Sequence, residues 1–259
     1  MTARGPLVGR TILVTRPIDR SERLVNLLDQ RGATVIAAPS IELKQVRSAE
    51  LTRALRDLAA GDFAWIVLTS PATVRMLNER LASPPDVQAD VAAIGEGTAA
   101  AYARWARREP KLLPKTFTVD GLARAFPRGR GRVLCARADI APDGLEDALA
   151  AKGWTPTRVD AYRTVFPKTL PRQATTALAA GEVDAITFTS ASTVRGFQAA
   201  LGTTTIAGKP KVVCIGPVTA KQARAAGMTV HAVAEPHTTD GLLAALERAL
   251  TPRRRAARG

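Results

Sequence analysis

The chain repeats itself, and no other feature of its sequence constrains the fold as strongly. Residues 9–35 (GRTILVTRPIDRSERLVNLLDQRGATV) resemble 131–157 (GRVLCARADIAPDGLEDALAAKGWTPT). Residues 63–77 (FAWIVLTSPATVRML) resemble 183–197 (VDAITFTSASTVRGF), sharing Thr-Ser, two variable residues and then Thr-Val-Arg. Residues 90–101 (DVAAIGEGTAAA) resemble 211–222 (KVVCIGPVTAKQ), and FTVDGL at 117–122 resembles HTTDGL at 237–242. The four offsets are 122, 120, 121 and 120 residues. Four matches in one order at nearly one offset read as the duplication of a single unit, so a fold proposed for one half has to serve the other.

Each half alternates short β-branched runs with amphipathic stretches. The strand-like runs are 11–15, 33–37, 63–69 and 90–94, then 132–136, 184–189, 211–215 and 229–233. Between the first two, Leu24, Leu27, Leu28 and Arg31 have the spacing of a half-buried helix. Alternating β and α over short connections predicts a parallel sheet covered on both faces. The fold class is therefore α/β, as two similar flavodoxin-like, doubly wound domains of five strands each. Two connectivities fit. The chain could divide simply near Gly129–Gly131, or the extended segments 40–46 and 160–167, flanked by Pro39 and Pro167, could be crossover strands. In the second case 1–38 joins 167–259, 44–160 forms an inserted domain, and 39–43 with 161–166 make a two-stranded β-ladder linker.

Composition excludes several functions. No apolar run reaches the roughly 18 residues that cross a bilayer, and the first residues lack the apolar stretch of a secretory signal. A cytoplasmic protein without membrane contact is expected. Cys135 and Cys214 each sit in a β-like run with no second ligand at metal spacing, and His231 and His237 complete no zinc or triad pattern. Neither a metal nor any other cofactor is expected. The formal net charge of +14 favours an anionic partner, either nucleic acid or a polycarboxylate. Part of it comes from Arg253, Arg254, Arg255 and Arg258 in a tail that reads as disordered.

The repeated motifs fall where chemistry is done in such sheets, beyond the C-terminal strand ends, where helix N-termini present free N–H groups. Thr15-Arg16-Pro17, Thr69-Ser70-Pro71, Thr189-Ser190-Ala191, Gly95 and Gly216-Pro217 occupy those places, with Thr98 and Thr219 close behind the glycines. They supply hydroxyls and backbone donors, which suit carboxylates. A plain helix-capping role competes for each Thr-Ser pair and is worth about 1 kcal/mol per cap. Asp120 and Asp240 read as caps rather than acids. The stretch Gly95-Glu96-Gly97-Thr98-Ala99-Ala100 fits a dinucleotide fingerprint, but its repeat copy lacks the second glycine, which argues against a nicotinamide site.

Taken together, the TRP after the first strand, the FTS-containing run at 184–194, CIGPVTA at 214–220, PHTTDGLL at 236–243 and the AYRT around Tyr162 resemble the uroporphyrinogen-III synthase family. The likeness runs from about Gly9 to Leu250 and departs at Ala138, where a glycine would follow Arg137. It implies the crossed-over connectivity and a substrate, hydroxymethylbilane, with eight carboxylates. It also implies loss of the terminal hydroxyl as water, attack on the substituted carbon of ring D, and closure with ring D inverted. Such a reaction asks the enzyme chiefly to orient a flexible chain.

By the same resemblance Tyr162 is the catalytic group, donating a hydrogen bond or proton to the departing hydroxyl; a tyrosine, with an ordinary pKa of about 10, is protonated near neutrality. Thr15, Arg16, Thr69, Ser70, Gly95, Ser190, Gly216, Pro217 and Thr219 are the expected substrate contacts. A monomer is expected, with transient contact to hydroxymethylbilane synthase. Two readings compete. A basic nucleic-acid-binding regulator would explain the charge, but aromatics are only 4% and no helix-turn-helix or base-stacking signature is present. A two-lobed protein that binds an anionic ligand without catalysis would leave the product isomers unchanged.

Overall fold

The computed structural model describes residues 5–81 and 88–251, and of Asp19 the backbone only; the arginine-rich tail from Arg253 lies outside the described residues. In chain order the elements begin with β1 (Thr11–Val14), a 3-10 turn (Ile18–Arg20), α1 (Glu22–Asp29), β2 (Thr34–Ala37) and β3 (Glu42–Gln45). Next come α2 (Ala49–Ala59), β4 (Trp65–Leu68), α3 (Pro71–Asn78), β5 (Asp90–Ala93), α4 (Glu96–Ala106) and α5 (Val119–Ala125). They are followed by β6 (Arg132–Ala138), α6 (Leu145–Ala150), β7 (Thr155–Val165) and α7 (Arg172–Ala180). The last are β8 (Ala185–Phe188), α8 (Ala191–Leu201), β9 (Lys211–Cys214), α9 (Pro217–Ala225), β10 (Val230–Val233) and α10 (Thr239–Leu250).

The chain forms two compact units, one gathering residues up to Glu42 and from Val165 onward, the other Leu43–Thr164. In the first unit five strands lie in the order β10-β9-β8-β1-β2, with every pairing parallel. Numbered along that unit, the order is 2-1-3-4-5, the flavodoxin-like arrangement. In the second unit the order is β3-β7-β6-β4-β5, and the pairings of β4 with β5 and of β6 with β4 and β7 are parallel. Segments matched as repeats take matched places, β2-β1-β8-β9 in one sheet and β7-β6-β4-β5 in the other. Beyond β5, Leu112 makes an isolated parallel bridge to Ala92 where β10 stands in the first sheet.

Both faces of each sheet are covered, and strand alternation shows why. Leu13, Ile186, Phe188 and Cys214 enter one apolar cluster of the first unit, while Ile12, Val14, Ala185 and Val213 enter the other. In the second unit Ile66, Leu68, Leu134 and Ala136 face one side, and Trp65, Val67, Val133 and Cys135 the other. Each large aliphatic side chain so buried contributes about 1.5–3 kcal/mol relative to exposure. The helices bury one stripe each. In α2, Ser48 accepts a hydrogen bond from Leu51 N–H at the N-terminus, and Leu51, Ala54, Leu55 and Leu58 are the buried residues.

The crossover segments read from sequence, 40–46 and 160–167, overlap β3 and the end of β7, which are hydrogen-bonded neighbours in the second sheet. β7 is an eleven-residue strand whose earlier part pairs along β6 from Arg132↔Thr155. Ser40 is fully buried, and its hydroxyl lies 3.1 Å from the Thr15 carbonyl and 2.7 Å from that of Thr193. Extended periodicity does not distinguish a strand that leaves a sheet from one that stays in it.

Candidate active site

The singled-out motifs sit at C-terminal strand ends in both units. In the second unit β4 ends at Leu68, Thr69 and Ser70 follow, and Ser70 is the N-cap of α3, its hydroxyl accepting from Thr73 N–H at 3.1 Å. Pro71 takes the first helical turn, where its missing N–H costs nothing. After β5, Gly95 is the N-cap of α4. A Cβ there would come 3.3 Å from the Phe117 side chain, so the glycine lets that ring approach.

Tyr162 comes from β7 and is 7% exposed. A bulge places it: Arg137 pairs with Asp160, but Ala138 pairs with Tyr162, so Ala161 is the extra residue. The insertion breaks strand alternation, and Ala161 and Tyr162 are both buried in the same cluster. Asp139 brackets the tyrosine, its N–H donating to the Tyr162 carbonyl at 3.1 Å and its carboxylate accepting from Thr164 N–H at 2.9 Å. The Tyr162 phenol oxygen then lies 3.0 Å from Ser70 Oγ, and Ser70 Oγ lies 3.1 Å from the hydroxyl of fully buried Thr73. Two sequence-predicted residues, Tyr162 and Ser70, are thus brought into contact.

In the first unit Ser190 caps α8 through Thr193 N–H, and Thr193 caps back, forming a capping box. Gly216 is the N-cap of α9, with Pro217 next in the first turn. Thr15 is fully buried, and its hydroxyl donates to the Thr187 carbonyl at 2.7 Å, tying β1 to β8. Its hydroxyl proton is thus engaged inside the sheet. Thr219 is 4% exposed, and Arg16 is half-buried. The aspartates of the two DGL segments are not the caps either. Thr118 and Thr238 accept the capping N–H groups of Gly121 and Gly241, and Asp120 and Asp240 lie in the first turns. The glycines of those segments have a steric reason, since a Cβ would sit 2.0 Å from the Thr116 carbonyl oxygen in one and 1.9 Å from that of Pro236 in the other.

His237, which ligand spacing had set aside, stands in this region. Its Nδ1 lies 2.8 Å from the Ala234 carbonyl, and a Cβ on Gly216 would be 3.6 Å from its ring. It occupies the place that Phe117 holds against Gly95 in the other unit, a correspondence already visible in the repeat of FTVDGL and HTTDGL. Arg137 lies at the end of β6 and is fully buried. One of its terminal nitrogens donates to both Glu146 carboxylate oxygens at 3.0 and 2.8 Å, and the other to the Pro142 carbonyl at 2.7 Å. With Ala138 after it, this arginine braces the loop ahead of α6.

Burial pushes the thiols of Cys135 and Cys214 up to about 12; beside Cys135 the Glu146 carboxylate adds to the effect. Neither thiol is available as a thiolate nucleophile near neutrality. Among the described residues, no group of three or more His, Cys, Asp or Glu side chains could hold a metal ion. No helix among them is long and apolar enough to cross a membrane.

These features define an α/β protein of two parallel-sheet units whose strand ends carry hydroxyls, helix N-termini and one buried tyrosine in a hydroxyl network. The chain belongs to the uroporphyrinogen-III synthase family: the family model described as "Uroporphyrinogen-III synthase HemD" matches residues 22–244. It is 30% identical over 260 residues to the uroporphyrinogen-III synthase of Synechococcus elongatus, covering 95% of this chain and 97% of that one. It is 31% identical over 248 residues to the porphyrin biosynthesis protein HemD of Ruminiclostridium josui, covering 93% of this chain and 48% of that one. The crystal structure of a mutant uroporphyrinogen III synthase from Thermus thermophilus superposes with a TM-score of 0.65 at 26% identity, over 93% of this chain and 98% of that one.

Proposed function

We propose that the protein closes hydroxymethylbilane to uroporphyrinogen III, inverting ring D and losing water, as a lyase of porphyrin and haem biosynthesis. Family membership over 22–244 supports the reaction. The observation that carries its chemistry is the buried Tyr162 hydroxyl 3.0 Å from Ser70 Oγ at a C-terminal strand end. The departing hydroxyl of the bilane needs a hydrogen-bond donor, and a phenol supplies one near neutrality. The cation left behind is stabilised by the substrate's own pyrrole nitrogen. The rest of the work is orientation, since spontaneous closure leaves ring D uninverted.

The groups that suit the bilane's carboxylates are helix N-termini and hydroxyls at Thr69, Ser70 and Gly95 of one unit and at Ser190, Gly216 and Pro217 of the other, together with the Arg16 guanidinium. The net charge of +14 attracts such a substrate over longer range. The same reading makes the protein a cytoplasmic monomer that needs no cofactor and receives the unstable bilane by transient contact with hydroxymethylbilane synthase. The test is incubation with hydroxymethylbilane and chromatographic separation of the two uroporphyrinogen isomers. The type III isomer is expected to dominate, and a product that is only type I refutes the assignment. Tyr162→Phe should lower turnover without abolishing it, because positioning survives; unchanged turnover removes Tyr162 from the mechanism.

A further inference from the structure

His237 carries a hydrogen-bonding atom that the fold does not use. It follows β10 and stands beside Gly216, which follows β9; the two strands are parallel, so both residues lie at C-terminal strand ends. The residue is exposed. Its Nδ1 lies 2.8 Å from the Ala234 carbonyl oxygen. A carbonyl only accepts, so Nδ1 carries the proton of this bond, and in the neutral ring Nε2 is left as an acceptor. Nε2 has no partner among the described residues. The ring atoms nearest a Cβ on Gly216 would be Cγ, Cδ2 and Nδ1, at 3.6, 3.7 and 3.8 Å, and Nε2 stands farther out.

The repeat shows that packing does not ask for these nitrogens. Phe117 holds the same place beside Gly95, its Cβ and Cγ each 3.3 Å from where a Cβ on that glycine would be. A ring with no polar atom therefore serves the second unit. The next positions differ in the same sense. Val218 is 52% exposed two residues after Gly216, whereas its counterpart after Gly95 is Gly97, which has no side chain. An open ring nitrogen and an exposed apolar side chain at one strand end belong to the first unit alone.

We infer that His237 is a further substrate-binding residue, whose Nε2 accepts the N–H of a pyrrole ring of the bilane. This rests on the proposed function, and the experiment separates the two. A pyrrole ring has apolar faces, which suit Val218, and one N–H donor, which suits a lone pair that no protein group has taken. Its carboxylate arms leave from the edge opposite the N–H. Helix N-termini and hydroxyls hold those arms, and an acceptor at the other edge fixes the rotation of the ring. Ring orientation is the quantity that decides which isomer forms.

The test is kcat and KM with hydroxymethylbilane for the wild type, His237→Phe, His237→Arg and His237→Ala. His237→Phe installs the ring that the repeat already uses and removes both nitrogens. Circular dichroism should show wild-type stability for it, the first unit having no tryptophan. Its KM should rise about fivefold, the worth of one hydrogen bond, with kcat little changed. Arginine has no acceptor, so His237→Arg should raise KM as much. His237→Ala should show the same rise, and it keeps the test in force if the phenylalanine variant unfolds. Wild-type KM in folded His237→Phe or His237→Ala overturns the inference. Wild-type KM in His237→Arg alone also overturns it, because the partner is then a carboxylate. Each of these leaves the type III product, and so the proposed function, in place. A wild type that yields only the type I isomer overturns both.

Discussion

Replacing Glu146 by glutamine would strand a positive charge in the interior of the second unit. The Arg137 side chain is 1% exposed and that of Glu146 is 18% exposed, with 2.8 Å between their closest atoms. Among the described residues Arg137 has one further partner, the Pro142 carbonyl, and its Nε has none. Removing one member of such a pair costs about 3–5 kcal/mol, because the remaining charge keeps its desolvation penalty and loses its compensation. The partial exposure of Glu146 places the expected loss near the lower end, about 3 kcal/mol. At a urea slope of about 1.5 kcal/mol per molar, the unfolding midpoint should fall by about 2 M.

The measurement is direct, because all three tryptophans, Trp65, Trp105 and Trp154, lie in the unit that holds the pair. Two of them form an aromatic group with Phe126, at centroid distances of 4.8 and 5.9 Å. Fluorescence therefore reports the unfolding of this unit. The combined change Arg137→Met with Glu146→Leu removes both charges and should recover most of the loss, short of about 1 kcal/mol for the abandoned Pro142 carbonyl. A midpoint shift below about 0.5 M for Glu146→Gln, or a double variant no more stable than the single one, would refute the reasoning.

Three further outcomes follow from the geometry. Gly196→Ala places a Cβ 1.8 Å from the Ser40 carbonyl oxygen. The clash should outweigh the helix-propensity gain of about 1 kcal/mol and destabilise the first unit by about 2 kcal/mol. Circular dichroism is the probe there, because that unit has no tryptophan; wild-type stability would contradict the packing described. His231 is held below its ordinary 6.5, first by burial and then by Lys211, and its Nδ1 accepts Val212 N–H at 3.1 Å. The folded state thus favours the neutral ring, so this contribution is present above 6.5 and is lost as pH falls through the lower folded value. His231→Asn should flatten that part of a stability–pH curve, and an unchanged curve would show the ring has no part in it. Cys135 and Cys214 should resist alkylation by iodoacetamide at pH 8 in the native protein and react after unfolding; labelling of either native thiol would contradict their burial.

Much of the architecture is legible in the chain because a parallel sheet covered on both faces needs uninterrupted apolar runs. TILV, WIVL, AITF and KVVC are such runs, and each became a strand. The Thr-Ser and Gly motifs were placed at strand ends by the same alternation. What was not legible depends on partners distant in sequence. The bulge that brings Tyr162 beside Ser70 is a mismatch of count between β6 and β7, and neither strand alone encodes it. Thr15 reads as a hydroxyl offered at a strand end, and only with β8 beside it does its proton go to the Thr187 carbonyl. The choice of Thr118 over Asp120 as cap depends on where the helix begins, a boundary that composition leaves open by a residue or two. The place of His237 beside Gly216 shows only through the repeat, as the counterpart of Phe117 beside Gly95, and metal-ligand spacing does not reveal it.

Each sheet takes strands from both copies of the repeat: β1 and β2 are completed by β8, β9 and β10, and β6 and β7 by β3, β4 and β5. A chain nicked between Phe126 and Gly131 would therefore leave two pieces of five strands each, neither owning a whole sheet. Held apart, both would expose raw hydrogen-bonding edges and be prone to aggregate. Mixed together, each is the other's missing half. A single copy of the repeat would be in the same position, and could shield its edges only by trading segments with a twin, as exchanged dimers do.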